Sequence, residues 1–267
     1  MSATKNPAAE GADKGSDSHG PRGVYVYGIV PSDVEFTEEV TGVGNPPAQV
    51  QVARAGNVAA LVSEIRVDHP LGTPEDLMAH ESVLDSAASV APVVPFRFGA
   101  VMTDVEAVSQ ELLTPHAEEF EAALEQLEGH AQYVVKARYD GEAILREVLE
   151  ESGAARTLRD AIRDRDEDLT REQRIQLGEL IGNAIAAKRE FDTGAAAERL
   201  QAYCTSMSVR DPSHEDDAVH LALLVRTDRQ GELQEAVSDL QDSWEGRATV
   251  RLLGPLAPYD FVVSQKG

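Results

Sequence analysis

The stretch RGVYVYGIVP, residues 22–31, decides the reading of this chain, because it is apolar on both sides at once. Successive strand side chains point to opposite faces, so Tyr25, Tyr27 and Ile29 fall on one side and Val24, Val26 and Val30 on the other. A strand with two apolar faces belongs in the middle of a sheet that is covered above and below. The chain's own helices are expected to cover one face, with partner-binding surface elsewhere on the same sheet.

Working outward, PSDVEFTEEVTGVGNPPAQ (31–49) reads as an acidic loop punctuated by Gly and Pro. QVQVARA, the turn dipeptide Gly56-Asn57 and VAALVSEI then make a hairpin. Pro74 marks a helix start, with Glu75 and Asp76 in the first turn where the helix dipole favours negative charge. Leu77, Leu84 and Ala88 lie along its apolar face. APVVPFRFG (91–99) reads as a strand with Val94, Phe96 and Phe98 on one face and Arg97 on the other, its prolines placing it at an edge. From Asp104 to Glu128 the pattern is helical, and Pro115 should kink or split it.

HAQYVVKARYD (130–140) is a strand by its β-branched and aromatic content. A charged helical region follows over 141–203, broken near Gly153 and again near DRDED, with Ile175, Leu180, Ile181 and Ile185 spaced for one buried stripe. The end of the chain reads as strands in TSMSVRD and DAVHLALLVRT, a helix over 231–243, and a last extended segment, ATVRLLGPLAPYDFVV. Strand, helices, strand, strand, helix, strand is the order of a split-βαβ, ferredoxin-like unit. The fold class expected is therefore α+β in two domains divided near Gly129. Residues 1–20 form a disordered tail, 21–129 an N-terminal α/β domain, and 130–267 a C-terminal α+β domain with a long helical insert. Tyr259, Phe261 and Val263 alternate in a run too apolar for a free end, so the C-terminal segment should be ordered and packed on a sheet.

Composition narrows the partners. A net charge of -23 repels phosphate backbones and anionic lipid, so neither nucleic acid nor membrane surface suits this chain. The single cysteine, Cys204, excludes an internal disulfide and any multi-cysteine zinc site, and fits a reducing cytoplasm. No run approaches the length of a membrane span, and the polar N-terminus lacks the apolar core of a signal peptide.

Motifs for chemistry fail one by one. GVGNPP (42–47) lacks the third glycine of a dinucleotide loop, and its prolines prevent a helix from starting there. Asp164, Asp166 and Asp168 stand where a calcium loop needs its first ligands, yet Leu169 replaces the turn glycine and Ile175 the final glutamate. His214 and His220 bracket Glu215, Asp216 and Asp217 without a shared coordination geometry, and Cys204 reads as a small hydrophobe near a helix end. His80 sits on or beside the apolar face of its helix, as a hydrogen-bonded packing residue does. Arg97, between Phe96 and Phe98, pairs with a carboxylate, holds a chain end or reaches a ligand. No catalytic residue, metal ligand or cofactor is assigned. Tyr25, Tyr27, Phe96, Arg97 and Phe98 are the candidate partner-binding residues.

YVYGIV near the start, APVVPFRFGAVM after the first helix and LLGPLAPYDFVV near the end, in that order and spacing, resemble the gas vesicle GvpF/GvpL family over about 23–263. Leu256 departs from the aromatic that often follows Gly-Pro in that family. The resemblance implies a minor, accessory, non-enzymatic component of gas vesicles that aids shell assembly by contacting the hydrophobic shell protein GvpA, and further accessory proteins as partners. It also implies a modified ferredoxin-like N-terminal domain and a C-terminal domain with prominent helices. A small-molecule-binding or enzymatic ferredoxin-like protein, with a pocket near His80 and Arg97, is the rival.

Overall fold

Strand β1 (Arg22–Pro31) gains its neighbours from a hairpin on one side and from two short pieces of chain on the other. The computed structural model describes residues 21–35, 40–68, 70–166 and 168–262, so the expected N-terminal tail and Val263 lie outside the described residues. Strands β2 (Gln51–Ala55) and β3 (Val58–Arg66) turn at Gly56-Asn57, where Gly56 takes φ 62°, a conformation open to glycine at no steric cost. β3 pairs with β1 antiparallel, and β4 (Val94–Pro95) and β5 (Val101–Met102) pair with its other edge, giving the order β2-β3-β1-β4 with β5 also on β1.

The β1–β3 register slips between Val26 and Gly28, leaving Tyr27 as the extra residue of a bulge. Facing reverses beyond it. Val24, Val26 and Ile29 enter one core, whereas Tyr25, Tyr27 and Val30 enter the other. Strict alternation placed Ile29 with the tyrosines and Val30 with the valines; the bulge exchanges them.

Helix α1 (Pro74–Ala88) begins at a capping box, Thr73 accepting from the Asp76 N–H while the Asp76 carboxylate accepts from the Thr73 N–H, and it buries Val83, Leu84 and Ala87 on the tyrosine face. The opposite face is covered by α2 (Val105–Ala107), a π-helical turn over Val108–Leu113, and α3 (Ala117–Leu127). The wide π turn brings Val108 and Leu113, five residues apart, into the same core as Phe120 and Leu124. Pro115 lies in the gap that separates the π turn from α3. Helices of the chain thus cover both faces of β1, not one. The expected strand at 91–99 reduces to Val94–Pro95, because the chain leaves the sheet at Phe96 and crosses Gly99 at φ 97° before returning as β5. Phe96 and Phe98 consequently enter opposite cores instead of sharing a face.

The second sheet takes the order β7-β8-β6-β9, all antiparallel, from β6 (His130–Tyr139), β7 (Ser206–Val209), β8 (Asp217–Arg226) and β9 (Ala248–Leu256). Helices α4 (Gly141–Glu151), α5 (Gly153–Ile162) and α6 (Arg171–Leu200) lie between β6 and β7, and α7 (Gln230–Ser243) between β8 and β9. Tyr133, Val135, Leu221 and Leu223 pack against Ala196 and Leu200 of α6 and Leu233 and Leu240 of α7. The expected stripe on α6 is only half present. Ile185 packs against this core, but Ile175 and Leu180 are exposed, because buried residues of α6 occur only from Asp192 onward.

Beyond β9 the chain crosses back to the first sheet. Gly254, at φ 136°, lets β9 press against β6, where a Cβ would stand 2.7 Å from the Tyr133 ring and 2.9 Å from the Gln132 carbonyl. The Ala257 N–H donates to Asp85 Oδ1 at 2.8 Å, the Asp260 N–H to Gln132 Oε1 at 3.1 Å, and Arg210 forks onto the Asp260 carboxylate. Ala257 and Tyr259 enter the tyrosine core, and Phe261 and Val262 pack on the other core beside Leu224 of β8. This strap ties both sheets together. Ending the chain after Leu256 should cost about 3 kcal/mol or more, the scale of deleting a large aromatic from a core, and raise binding of a hydrophobic dye. Thermal melting measures the loss, and an unchanged midpoint contradicts the role of the strap.

Candidate functional site

Three of the candidate residues, Tyr25, Tyr27 and Phe98, gather around His80. Tyr25 and Tyr27 are fully buried on β1, with ring centroids 4.9 Å apart, and the imidazole of α1 lies 5.7 Å from Tyr25, 5.8 Å from Tyr27, 5.6 Å from Phe98 and 6.4 Å from Tyr259. The Tyr25 hydroxyl meets His80 Nδ1 at 2.9 Å and accepts the Gly99 N–H at 3.1 Å, while His80 Nε2 lies 3.2 Å from the Phe96 carbonyl. One assignment satisfies all three groups: Tyr25 O–H donates to Nδ1, and a neutral imidazole donates from Nε2 to Phe96. Burial pushes the His80 pKa down, even though the Phe96 carbonyl works the other way, and pushes Tyr25 up to about 12.

Tyr27 makes a second chain. Its hydroxyl accepts the Val43 N–H at 2.8 Å and donates to Ser63 Oγ, which donates to the Gln49 carbonyl, each at 3.0 Å. The approach of the 40–50 loop requires Gly42, since a Cβ there would lie 1.8 Å from the Tyr27 hydroxyl oxygen. Asp76 fixes the same loop to α1. Burial opposes its charge, but N–H groups of Gly44, Gly72 and Thr73 outweigh that and hold its carboxyl below the usual range.

Both tyrosines are therefore interior to the protein, and a partner arriving at this region meets Arg97, which is exposed, and the half-buried rings of Phe96 and Phe98. Phe96 stacks toward Phe120 at 6.3 Å, and Phe98 belongs to the His80 cluster. His80 has both ring nitrogens engaged within the fold and is 2% exposed, which leaves it no free atom to offer a substrate.

Among the described residues no group of three His, Cys, Asp or Glu is placed to hold a metal. His220 Nδ1 faces the Asp211 carbonyl, and Asp217, the first residue of β8, accepts instead from Ser213 and His214. Cys204 is half-buried against the second core, and burial raises its thiol pKa. Sequence reasoning missed an ionic cluster at the base of α6. Arg247 bonds Glu147 and Asp192 at 2.8 Å each while lying over the rings of Tyr139 and Trp244, Tyr139 donates to Asp192, and Lys188 bonds Glu147 at 2.6 Å. The Arg247 bond, against the cost of burial, holds the Glu147 carboxyl below its usual range. Each charge here has a partner, so the cluster pins α4, α6 and β6 to the turn before β9.

The family model described as gas vesicle synthesis protein GvpL/GvpF matches residues 23–263. Gas vesicle protein F of Streptomyces sp. (strain CB03234) is 35% identical over 242 residues, covering 89% of this chain and 98% of the relative. Gas vesicle protein F of Dolichospermum flosaquae is 27% identical over 240 residues, covering 89% and 96%. The crystal structure of GvpF from Anabaena sp. PCC7120 superposes with a TM-score of 0.74 at 24% identity over 91% of this chain and 99% of that one. GvpF from Microcystis aeruginosa gives 0.71 at 22% over 90% and 99%. At those identities the structures speak for the shared fold.

The buried imidazole sets a pH dependence. An unfolded His80 takes up its proton near pH 6.5, and the folded protein resists it, so the stability tied to the neutral ring is complete above that pH and is lost as pH falls through the lowered folded value. Asp85, whose carboxyl burial raises, acts with the opposite sign but is common to any His80 variant. His80→Gln, which can still accept from Tyr25 and donate to Phe96, should lose less stability than the natural chain between pH 7 and 5. Urea melts across that range test this, and parallel losses would contradict it.

Proposed function

Because the chain belongs to the GvpL/GvpF family of gas vesicle proteins, we propose that it is a non-enzymatic accessory protein of gas vesicle assembly, working in the cytoplasm and binding the hydrophobic shell protein GvpA. The observation that carries this reading is the family match running from β1 into the C-terminal strap, across both sheets. Charge supports it. A shell subunit exposes apolar surface before it assembles, and an escort of net charge -23 keeps such a complex dispersed by self-repulsion. The relatives are named as gas vesicle proteins, not as enzymes, and both ring nitrogens of His80 and the Tyr25 hydroxyl are satisfied within the fold.

In this reading the chain acts as two units meeting near Gly129. The common strand order of the two sheets supports a ferredoxin-like origin for both, with no crossover helix among the described residues, 32–35 and 40–50, that join the first two strands of the first unit. Shell-protein contact falls on the first unit, around exposed Arg97 and the edges of Phe96 and Phe98.

Co-expression with GvpA tests the role. The natural chain should raise the soluble fraction of the shell protein and capture it in a pull-down, and no change in solubility would defeat the reading. Phe96→Ala should lower stability by about 2 to 3 kcal/mol, less than a fully buried ring costs. Arg97→Ala should hold stability within about 0.5 kcal/mol and weaken capture. Capture unaffected by Arg97→Ala, or retained in full by residues 130–267 alone, would remove the contact from the first unit.

A further inference from the structure

A groove of about 600 Å³ opens between the end of β1, the 90–92 loop and α3. Val34 and Leu124 lie buried beneath it, and Val90 stands 71% exposed at its side next to the half-buried Ala91 and Pro92. Its rim carries Asp33, Glu35, Glu121, Glu125 and Glu128, and no Lys or Arg is among the described residues that line it. None of those five carboxylates is within ion-pair distance of a cation among the described residues. Arg54, on the neighbouring strand, is turned to the backbone carbonyls of Ser32 and Val34.

Helix α3 makes the arrangement asymmetric. Over Ala117–Leu127 it has four glutamates and no Lys or Arg, and Glu121, Glu125 and Glu128 follow one another at the spacing of a single helical stripe. Like charges four residues apart oppose the helix that carries them. The opposition is relieved when a cation is laid along the stripe. Val90, exposed beside it, supplies apolar surface that a small inorganic cation would not use.

We propose that this groove docks a cationic amphipathic segment of a partner protein, its apolar residues seated against Val90, Ala91 and Pro92 and its Lys or Arg side chains meeting the α3 carboxylates. The proposal deepens the escort role by giving the chemistry of the surface the partner presents, and in that respect rests on it. Arg97 is not among the residues that line the groove.

The test uses the full-length protein and a fluorescein-labelled synthetic helix of Leu and Lys, read by anisotropy. Glu121→Lys with Glu125→Lys should weaken binding at least tenfold, whereas the same reversal on α7, Glu235→Lys with Asp239→Lys, should change it less than twofold. Val90→Asp separates docking from simple attraction, because it adds negative charge yet removes exposed apolar surface; it too should weaken binding about tenfold. Equal losses from the α3 and α7 pairs, or tighter binding by Val90→Asp, would overturn the proposal in favour of general attraction of any polycation, as would displacement by spermidine with equal ease from all variants. Melting of each variant confirms that it is folded. In the GvpA co-expression assay, a natural chain without effect defeats the escort role and leaves the peptide result standing. A natural chain that works, with α3 variants working equally well, defeats the groove alone.

Discussion

The hydroxyls of Tyr25 and Tyr27 enter a core from which water is excluded, where an unbonded hydroxyl costs on the order of 1–3 kcal/mol. Much of the first half of the molecule is arranged around supplying their partners. His80 must come from α1, the Gly99 N–H from the chain between β4 and β5, and the Val43 N–H from the loop after β1. Each of these demands fixes a segment that has no long ladder of its own. The tyrosines thus convert strand β1 into an anchor for loop and helix as well as for sheet.

The two sheets share one strand order, in which the second and third strands form an antiparallel pair, the first lies beside the third, and the last lies on the free edge of the first. They differ in what joins the first strand to the second. In the second sheet that connection holds α4, α5 and α6, whereas in the first its described residues, 32–35 and 40–50, are loop, held by Tyr27, Gly42 and Asp76. A loop in that place leaves the tyrosine face to be closed by α1 and the strap, and the strap begins in the second sheet. The two halves are in this way made dependent on each other's chain.

Local chemistry was legible in the sequence and long-range geometry was not. Gly56-Asn57 and the Pro74 helix start declare themselves within a few residues, since turn and cap are satisfied by near neighbours. The bulge at Tyr27 is decided by pairing with β3 about 35 residues later, so alternation misassigned Ile29 and Val30. Apolar alternation over 91–99 suggested a strand, yet Pro92, Pro95 and Gly99 left only two residues paired there, and Phe96 and Phe98 parted to different cores. Ile175 and Leu180 have the right helical spacing and the wrong position along α6. The Arg247 cluster joins residues from three elements and a turn and carried no local sign. The α3 stripe did carry one, in the spacing of Glu121, Glu125 and Glu128, but such a pattern looks like any solvated face until the groove beside it is seen.

The strap has a consequence for synthesis. Residues 257–262 leave the ribosome roughly 200 residues after β1, on the order of 10 to 50 s later at usual rates of translation. Until then the places in the two cores that Ala257, Tyr259, Phe261 and Val262 fill are uncovered, with Tyr25 and Tyr27 already emerged. A nascent chain therefore carries a hydrophobic opening that residues 257–262 will close, and a chain terminated before them keeps it. Chaperones and proteases that read exposed apolar surface can distinguish the finished product from the truncated one at that single place.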